Sequence, residues 1–456
     1  MERGTAAYAL AVARRGFTVG RYLEQYDETA SRDPMRAAMT VMGWVREDWR
    51  GLFAELRAER PIFVTPAFAL VTKFADVTEV LGREKTFTVR PTASSLDAAL
   101  GSGFMLARDA TPMHWRERGL MQLMLAPEDV PAVRELAGRA ADEALDAASD
   151  SSAAGPIDVI GDVFRPVASR VCEEYFGYRG VPPAKLSSWV RAIIKDCYAN
   201  PAHDSAIRAA SVEAGAELMN YLRTELARRR ASTEPGDKPC DDLFGRLARA
   251  SIPAECGIDD ERIAVNMAGL PLGFVESAPA AMALAARQLL ARPDILAAAA
   301  RAAASSDPAE FDPYVWEALR LDTFFRLMPP RLCELDHLLA AGTPRATVIP
   351  AGTIVFPALA SAMYDEDVVP EPEAFRLNRP EHVHIHFGTG HAHNCLGVHP
   401  ARVIVAETLR RLLRRGIRQS PEDDIVFDAI FPDRYLIQLS LIQLSPIQLN
   451  PLELNA

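Results

Sequence analysis

The chain has no stretch of about 20 consecutive apolar residues of the kind that spans a bilayer, no CxxC pair and no excess of positive charge. With 61 Asp and Glu against 50 Lys and Arg, its formal net charge is -11. That argues against a nucleic-acid binder, because neutralising phosphates needs a basic face, and acidity of this size chiefly favours solubility. The first 25 residues carry Arg3, Arg14, Arg15 and Arg21 between short alanine-rich runs, without the apolar core of a signal peptide. A cytoplasmic protein without a membrane span is therefore expected. The six cysteines (172, 197, 240, 256, 333 and 395) are scattered. In a chain with no secretory signal they read as reduced thiols, most of them small buried hydrophobes, and not as a disulfide framework.

What is present is ordinary globular material, 49% hydrophobic and 24% charged over 456 residues. That length admits either several average domains or one large one. The first 250 residues read mostly as helices, with a small hairpin over Pro61–Thr65 and Ala69–Thr72. From Phe87 to Pro112 the periodicity fails and a long functional loop is expected. Residues 209–231 form an amphipathic helix with a polar linker at 232–239. Asp259 to Ala291 is the longest helical candidate, acidic at its start, yet Gly269, Pro271, Gly273 and Pro279 sit at its centre. Breakers in a core helix need a local reason. Another helix opens at Asp312-Pro313, strands follow at 324–328 and 353–357, and a last helix runs from Leu396 to Arg415. The end repeats Ile-Gln-Leu-Ser with a period of five, too few copies for a solenoid.

The most informative segment is His386-Phe-Gly-Thr-Gly-His-Ala-His-Asn-Cys-Leu-Gly397. A glycine-rich loop delivers Cys395 to the start of a helix, where unpaired N–H groups and the helix dipole stabilise a thiolate. Such a thiolate is a strong haem-iron ligand. The loop resembles the cysteine-ligand loop of the cytochrome P450 family in Phe387, Gly388, Gly390, His393, Cys395 and Gly397. Phe387 lies eight residues before Cys395, one more than the family spacing, so there is an extra residue between His391 and Asn394 that either bulges outward or retunes the thiolate. Six of the nine histidines fall within residues 382–399. A zinc or non-haem iron site using His382, His384 and His386 on one face of a strand is the rival reading.

Other segments resemble the same family. Glu317 and Arg320, three apart on a helix, resemble its Glu–Arg pair. Glu225–Arg228, Glu373–Arg376 and Glu407–Arg410 share that spacing, but Glu317 stands 78 residues before Cys395 and ahead of Pro329-Pro330-Arg331. Arg379 would complete a buried structural network. His114 and Arg118 resemble the propionate clamp, to be completed by Arg331 (or Arg326) and His393. Gly273-Phe-Val-Glu276-Ser277 resembles the distal-helix segment, with Glu276 and Ser277 as the acid–alcohol pair that relays protons. Phe274, Phe324, Met328 and Phe431 are expected at the substrate pocket.

The resemblance implies a mainly α fold with a small β region around a buried haem b. The haem domain would cover residues 43–439, with a helical lead-in at 1–42 and a low-complexity tail at 440–456. It implies a monooxygenase acting on a small apolar or amphipathic molecule, with electrons from a ferredoxin or flavodoxin and its reductase. The alternative is a peroxygenase or hydroperoxide-rearranging enzyme that needs no reductase. Arg402, Arg410, Arg411, Arg414 and Arg415 crowd the last helix as an expected docking patch for the acidic partner. The purified protein is predicted to carry haem b and, when reduced under carbon monoxide, to show the red-shifted Soret band of thiolate ligation. Cys395→Ser removes that band. A band that persists in the variant, or zinc in place of haem, contradicts the reading.

Overall fold

The computed structural model describes residues 21–151, 155–200, 203–231, 241–419, 424–428 and 430–439. The linker at 232–239, the tail at 440–456 and Cys240 lie outside the described residues. The architecture is mainly helical with small sheets. The chain divides into two compact units, residues 1–91 with 325–373 and residues 92–324 with 374–456.

The first unit opens with α1 (Tyr22–Ala30), α2 (Pro34–Glu47) and α3 (Trp49–Glu59). The expected boundary at 42/43 falls inside α2. Asp33 caps α2 by accepting from the Arg36 N–H, ahead of Pro34 in the first turn, and Asp48 caps α3 by accepting from the Gly51 N–H. These are the positions at which helix N–H groups otherwise lack partners. After them come the hairpin β1 (Ile62–Val64) and β2 (Ala69–Val71), α4 (Phe74–Gly82) and the short β3 (Phe87–Thr88). The later segment adds β4 (Arg331–Cys333), β5 (His337–Leu339), β6 (Thr347–Ile349) and β7 (Ile354–Pro357). One sheet runs β1-β2-β7-β4-β3 and β5 pairs with β6. Only β2–β7 is parallel in the five-stranded sheet. The strand expected over 324–328 does not form. Pro329 and Pro330 have no N–H to donate, and the ladder starts after them, at Arg331.

The second unit begins with α5 (Arg90–Leu100), where a loop was expected. Its buried residues, Thr92, Ser95, Leu96, Ala99 and Leu100, recur every three to four positions. The inward face is helical in period, with Thr92 and Ser95 mixed among Leu96, Ala99 and Leu100, and Pro91 is tolerated because it stands in the first turn. The unit continues with α6 (Pro112–Met124), α7 (Val130–Ser151), α8 (Pro183–Tyr198), α9 (Ser205–Ala231), α10 (Asp260–Phe274), α11 (Ser277–Leu290), α12 (Pro293–Ala304), α13 (Asp312–Leu321) and α14 (Val398–Arg414). Beside them lie β8 (Ile417–Gln419), β9 (Val426–Asp428), β10 (Phe431–Arg434) and β11 (Leu436–Leu439). β11 is central between β8 and Ile157–Asp158, and β9 pairs with β10.

The long helix expected over 259–291 is two helices. Pro279 offers no N–H to the Val275 carbonyl, and the chain turns at Val275–Glu276 before resuming as α11. The Ser277 hydroxyl donates to the Gly273 carbonyl at 2.5 Å, which holds the break to one turn. The stretch 260–290 is long and apolar enough to cross a membrane, but 83% of its most apolar part is buried within the protein. It is the core of this unit, and α11 is buried on every side through Ala278, Ala280, Ala283, Ala285 and Ala286. An all-round apolar helix belongs at such a centre.

Close backbone approach fixes α9 on α5. A Cβ added at Gly215 would lie 2.0 Å from the Ala99 carbonyl oxygen, so Gly215→Ala forces backbone to move. Overpacking of this kind costs about 1–3 kcal/mol or more. Equilibrium denaturation of the variant is predicted to show that loss, and unchanged stability contradicts the packing described.

Candidate active site

Cys395 stands three residues before α14, on a loop closed by its own backbone. Its N–H donates to the Phe387 carbonyl at 2.8 Å, and the Asn394 N–H to the His391 carbonyl at 2.9 Å. The Asn394 Oδ1 accepts from the Gly390 N–H at 3.1 Å. Gly388 (φ 96°) and Gly390 (φ 83°) occupy the left-handed region, which favours glycine. Burial raises the Cys395 thiol, while the Gly397 N–H and the Arg118 cation pull it the other way. The two attractions are the means by which a thiolate is held at a helix start. Phe387 packs against Trp316, ring centroids 5.6 Å apart, with the Arg402 guanidinium over its ring at 5.9 Å.

The extra residue turns inward. Ala392 is fully buried, and its carbonyl oxygen lies 3.1 Å from His114 Nε2. His114 Nδ1 is 2.8 Å from the Met105 carbonyl. Both neighbours are pure acceptors, so a neutral ring supplies the hydrogen for one contact and an imidazolium for both. His393, 5.1 Å from His114 between ring centroids, places Nε2 2.8 Å from the Arg108 carbonyl. The two histidines expected at propionates therefore brace the cysteine loop against α6 and the segment before it. Arg118 is buried beside the thiol. Arg331 is buried on β4 of the first unit and donates to the Pro329 carbonyl at 3.2 Å. Arg326, in the same unit, donates to the carbonyls of Val45 and Arg46.

Glu317, Arg320 and Arg379 meet. Glu317 Oε1 accepts from Arg320 Nη2, from Arg379 Nε (both 2.9 Å) and from the Arg376 N–H (3.0 Å). Its Oε2 accepts from Arg320 Nε at 2.9 Å, and His384 Nε2 lies at 3.3 Å. The Ala374 carbonyl takes a further bond from Arg379, at 2.8 Å. Burial alone would raise the carboxyl, but His384, Arg320 and the Arg376 N–H outweigh it and hold Glu317 at about 2. Among the described residues no group of three His, Cys, Asp or Glu side chains is placed to hold a metal ion. His384 is engaged with Glu317, and burial, with the neighbouring His384, takes His386 down to about 3. The segment 382–386 is also not a strand, so the rival metal site loses its geometry.

Where α10 gives way to α11, the consecutive residues Glu276, in the turn, and Ser277, the first residue of α11, point their side chains to different partners. The Glu276 carboxylate is buried and accepts from Ser187 Oγ at 2.6 Å and from Arg191 Nε and Nη2 at 3.0 and 3.1 Å. Arg165 lies 3.7 Å away, and Asp433 shares Arg191 at 3.0 Å. Ser277 binds the Gly273 carbonyl instead. Gly273 is exposed within this core helix, and an added Cβ there would meet nothing within 4 Å. Phe274 is buried edge-on to Phe176, centroids 5.4 Å apart. Phe431 is buried under the Arg191 guanidinium at 5.3 Å. Phe324 packs at the edge of the second unit's core, while Met328 belongs to the first unit and donates its N–H to the Pro357 carbonyl.

A family model described as Cytochrome P450 matches residues 311–424, the span that holds both the Glu317 network and Cys395. The chain belongs to the cytochrome P450 family. It is 29% identical to the cyclomarin C epoxidase CymV of Salinispora arenicola over 71% of this chain and 75% of that one. It is 26% identical to cytochrome P450 107B1 of Saccharopolyspora erythraea, over 78% and 84%. The solved ligand-free structure of cytochrome P450 TbtJ1 superposes with a TM-score of 0.69 at 26% identity, covering 85% of this chain and 97% of that one. The protein is a P450 monooxygenase with the P450 fold.

A P450 implies haem, and the residues fit it. Cys395, three residues before α14, has the Gly397 N–H and the Arg118 cation opposing the burial that raises its thiol, and the distal helix keeps open space at Gly273. The arginine patch expected for a redox partner is corrected by the structure. Arg410 and Arg411 pair with the buried Glu407 at 3.0 and 2.7 Å, Arg411 also with Asp142 at 2.6 Å, and Arg415 with Asp146 at 2.6 Å. Arg402 pairs with Glu381, and Arg414 donates to the carbonyls of Ala303 and Ser305. These cations tie α14 to its neighbours. Sequence reasoning missed Arg191, Ser187 and Arg165, which reach Glu276 from distant segments with no local pattern to mark them. It noted His384 only as one of many histidines.

The P450's buried carboxylate gives a signed prediction. Glu317 is held near 2, below the ordinary value of about 4.3, so its contribution is present above pH of about 4 and is lost as pH falls toward 2. Glu317→Gln leaves Arg320 and Arg379 without their carboxylate, and is predicted to cost about 3–5 kcal/mol and to flatten the acid limb of the stability profile. Denaturation at pH 7 and pH 3 checks both. An acid limb identical to the parent's contradicts the assignment.

Proposed function

We propose that this P450 inserts one oxygen atom from dioxygen into a small apolar or amphipathic substrate, with haem b ligated by Cys395 and electrons delivered by a separate ferredoxin or flavodoxin and its reductase. The observation that carries the reading is geometric: a glycine-rich loop, closed by the Cys395 N–H on the Phe387 carbonyl at 2.8 Å, delivers the Cys395 sulfur three residues ahead of α14. Haem bound there supplies the site at which dioxygen is activated. The chain's own residues do the rest. Arg118 balances propionate charge, the second cation role falling to the arginine of the Pro-Pro-Arg segment by resemblance. Gly388 and Gly390 let the backbone lie flat against a macrocycle.

Ser277 is the hydroxyl beside the open face of Gly273, and it can turn its proton from the Gly273 carbonyl toward that space. Glu276 recharges it from the other side of the helix break, and to do so its carboxylate must let go of Arg191 or Ser187. Proton supply is thereby coupled to α8. The neutral character of the open face, with glycine and alcohol side by side, supports an apolar substrate. A cyclomarin C epoxidase among the relatives supports oxygen insertion into an organic substrate.

The second reading, a peroxygenase, is favoured by one observation: the Glu276 carboxylate is held by Arg191 and Ser187 and not by Ser277. The two are separated by oxidant. With dioxygen, NAD(P)H and a ferredoxin–reductase pair the protein is predicted to turn over bound substrate, and Ser277→Ala to release more peroxide per electron and less product. Relay groups of this kind are worth about 10²–10⁴-fold. Turnover with peroxide alone and none with the reductase pair overturns the monooxygenase proposal and leaves Cys395 in place.

A further inference from the structure

The additional residue of the cysteine loop brings an additional peptide carbonyl, which in the interior needs a donor. Ala392 is fully buried, and so is the ring that meets it. His114 stands in the first turn of α6, where the Thr111 hydroxyl accepts from its backbone N–H at 3.3 Å. Its Nε2 lies 3.1 Å from the Ala392 carbonyl oxygen and its Nδ1 2.8 Å from the Met105 carbonyl oxygen. An imidazole has only these two nitrogens. Both are turned to backbone, so the propionate contact that resemblance assigns to His114 has no ring nitrogen left to make it.

The far side of the ring rests on anchored backbone. The Met105 N–H donates to Asn266 Oδ1 of α10 at 3.2 Å, and the Met105 carbonyl accepts from the Arg108 N–H, also at 3.2 Å. With that carbonyl already supplied, the ring hydrogen is better placed on Nε2, toward Ala392. From Ala392 the route to the sulfur is short. The carbonyl of His391, one residue before it, takes the Asn394 N–H, and the Cys395 N–H closes the loop on Phe387. Asn394 Oδ1 accepts from the Gly390 N–H as well, so the loop moves as a unit. Arg118, one turn after His114 on the same face of α6, and the Gly397 N–H are the groups that act on the sulfur. One helix face therefore addresses the ligand loop at two points.

We propose that His114 is a positioning residue for the haem ligand. By donating from Nε2 to the Ala392 carbonyl it holds the cysteine loop on α6 and keeps the sulfur in reach of the Gly397 N–H. It thereby sets the reduction potential of the bound haem. The proposal rests on the haem-thiolate reading above, and it takes His114 out of the propionate clamp. His114 touches no reacting atom. Its effect passes through hydrogen bonding to the sulfur, one of the means by which a protein tunes an iron–thiolate centre. A sulfur that loses its donor gives more electron density to the iron, which favours the ferric state and lowers the potential.

The test is a spectroscopic redox titration of the haem-loaded protein in the parent and two polar variants. Glutamine carries its amide nitrogen where histidine carries Nε2, and asparagine where histidine carries Nδ1. His114→Asn is expected to shift the ferric–ferrous equilibrium about tenfold toward ferric, a fall of about 59 mV for one electron. It is also expected to move the Fe–CO stretching frequency of the reduced carbonyl complex. His114→Gln is expected to stay close to the parent in both. Parent and His114→Asn are then loaded with haem dimethyl ester, whose propionates are blocked, and the difference between them is expected to persist. A difference that disappears with the ester returns His114 to the propionates and overturns the proposal. So does an unchanged potential in His114→Asn, or a fall in His114→Gln equal to that in His114→Asn. If His114→Asn does not retain haem, the same substitution is made with Ala392 deleted, where the additional carbonyl is gone. Haem retention there supports the route through Ala392, and continued loss overturns it. A parent without the red-shifted band of the reduced carbonyl complex fails the haem-thiolate reading, and this proposal with it.

Discussion

Glu317 is a charge taken out of water, and an ion so placed costs several kcal/mol unless its hydrogen bonds are replaced. Here they are replaced completely. Arg320 comes from the same helix, three residues on, while Arg379, the Arg376 N–H and His384 arrive from a segment about sixty residues later. That later segment has little regular structure of its own. Its backbone is positioned by what it gives to one carboxylate, and within three residues of His384 it becomes the loop whose Phe387 carbonyl receives the Cys395 N–H. The position of the sulfur is inherited from that anchor through a short run of chain.

The distal side works by omission. A core helix is normally closed on all faces, but α10 and α11 meet at a break, and glycine and serine there leave room that a larger side chain would fill. The break has an identifiable cause in Pro279, and the serine hydroxyl limits how far it opens. The stability given up is offset around it, by the alanine-packed α11 and by the Glu276–Arg191–Ser187 cluster that fixes the break to α8.

Much of this was legible in the sequence because it is written locally. A glycine-rich loop before a cysteine, a Glu and Arg three apart, and two prolines with two glycines inside an apolar run each carry their meaning within a dozen residues. The register of the Glu317 network needed one further step, order along the chain, which separated it from three equal spacings. The parts that were not legible are those settled at long range. The arginines of α14 read as a patch because their partners Asp142, Asp146 and Glu381 lie on other segments. The helix α5 read as a loop because Pro91 stands in its first turn, Gly101 and Gly103 follow it, and Thr92 and Ser95 interrupt the apolar pattern of its buried face. Glu276 and Ser277 read as a pair by adjacency, although a helix break sends neighbours in different directions.

The inward turn of the cysteine loop has a consequence of its own. Ala392 gives its carbonyl to the ring of His114, and His393 reaches across to the Arg108 carbonyl. Removing either contact takes a partner from a group at least half-buried, at a cost of about 1–3 kcal/mol where nothing replaces it. The inserted residue and the two histidines are therefore exchangeable only as a set. Position 114 is thereby coupled to the length of a segment nearly three hundred residues away, and the loop behaves as a lock whose key is kept on another helix.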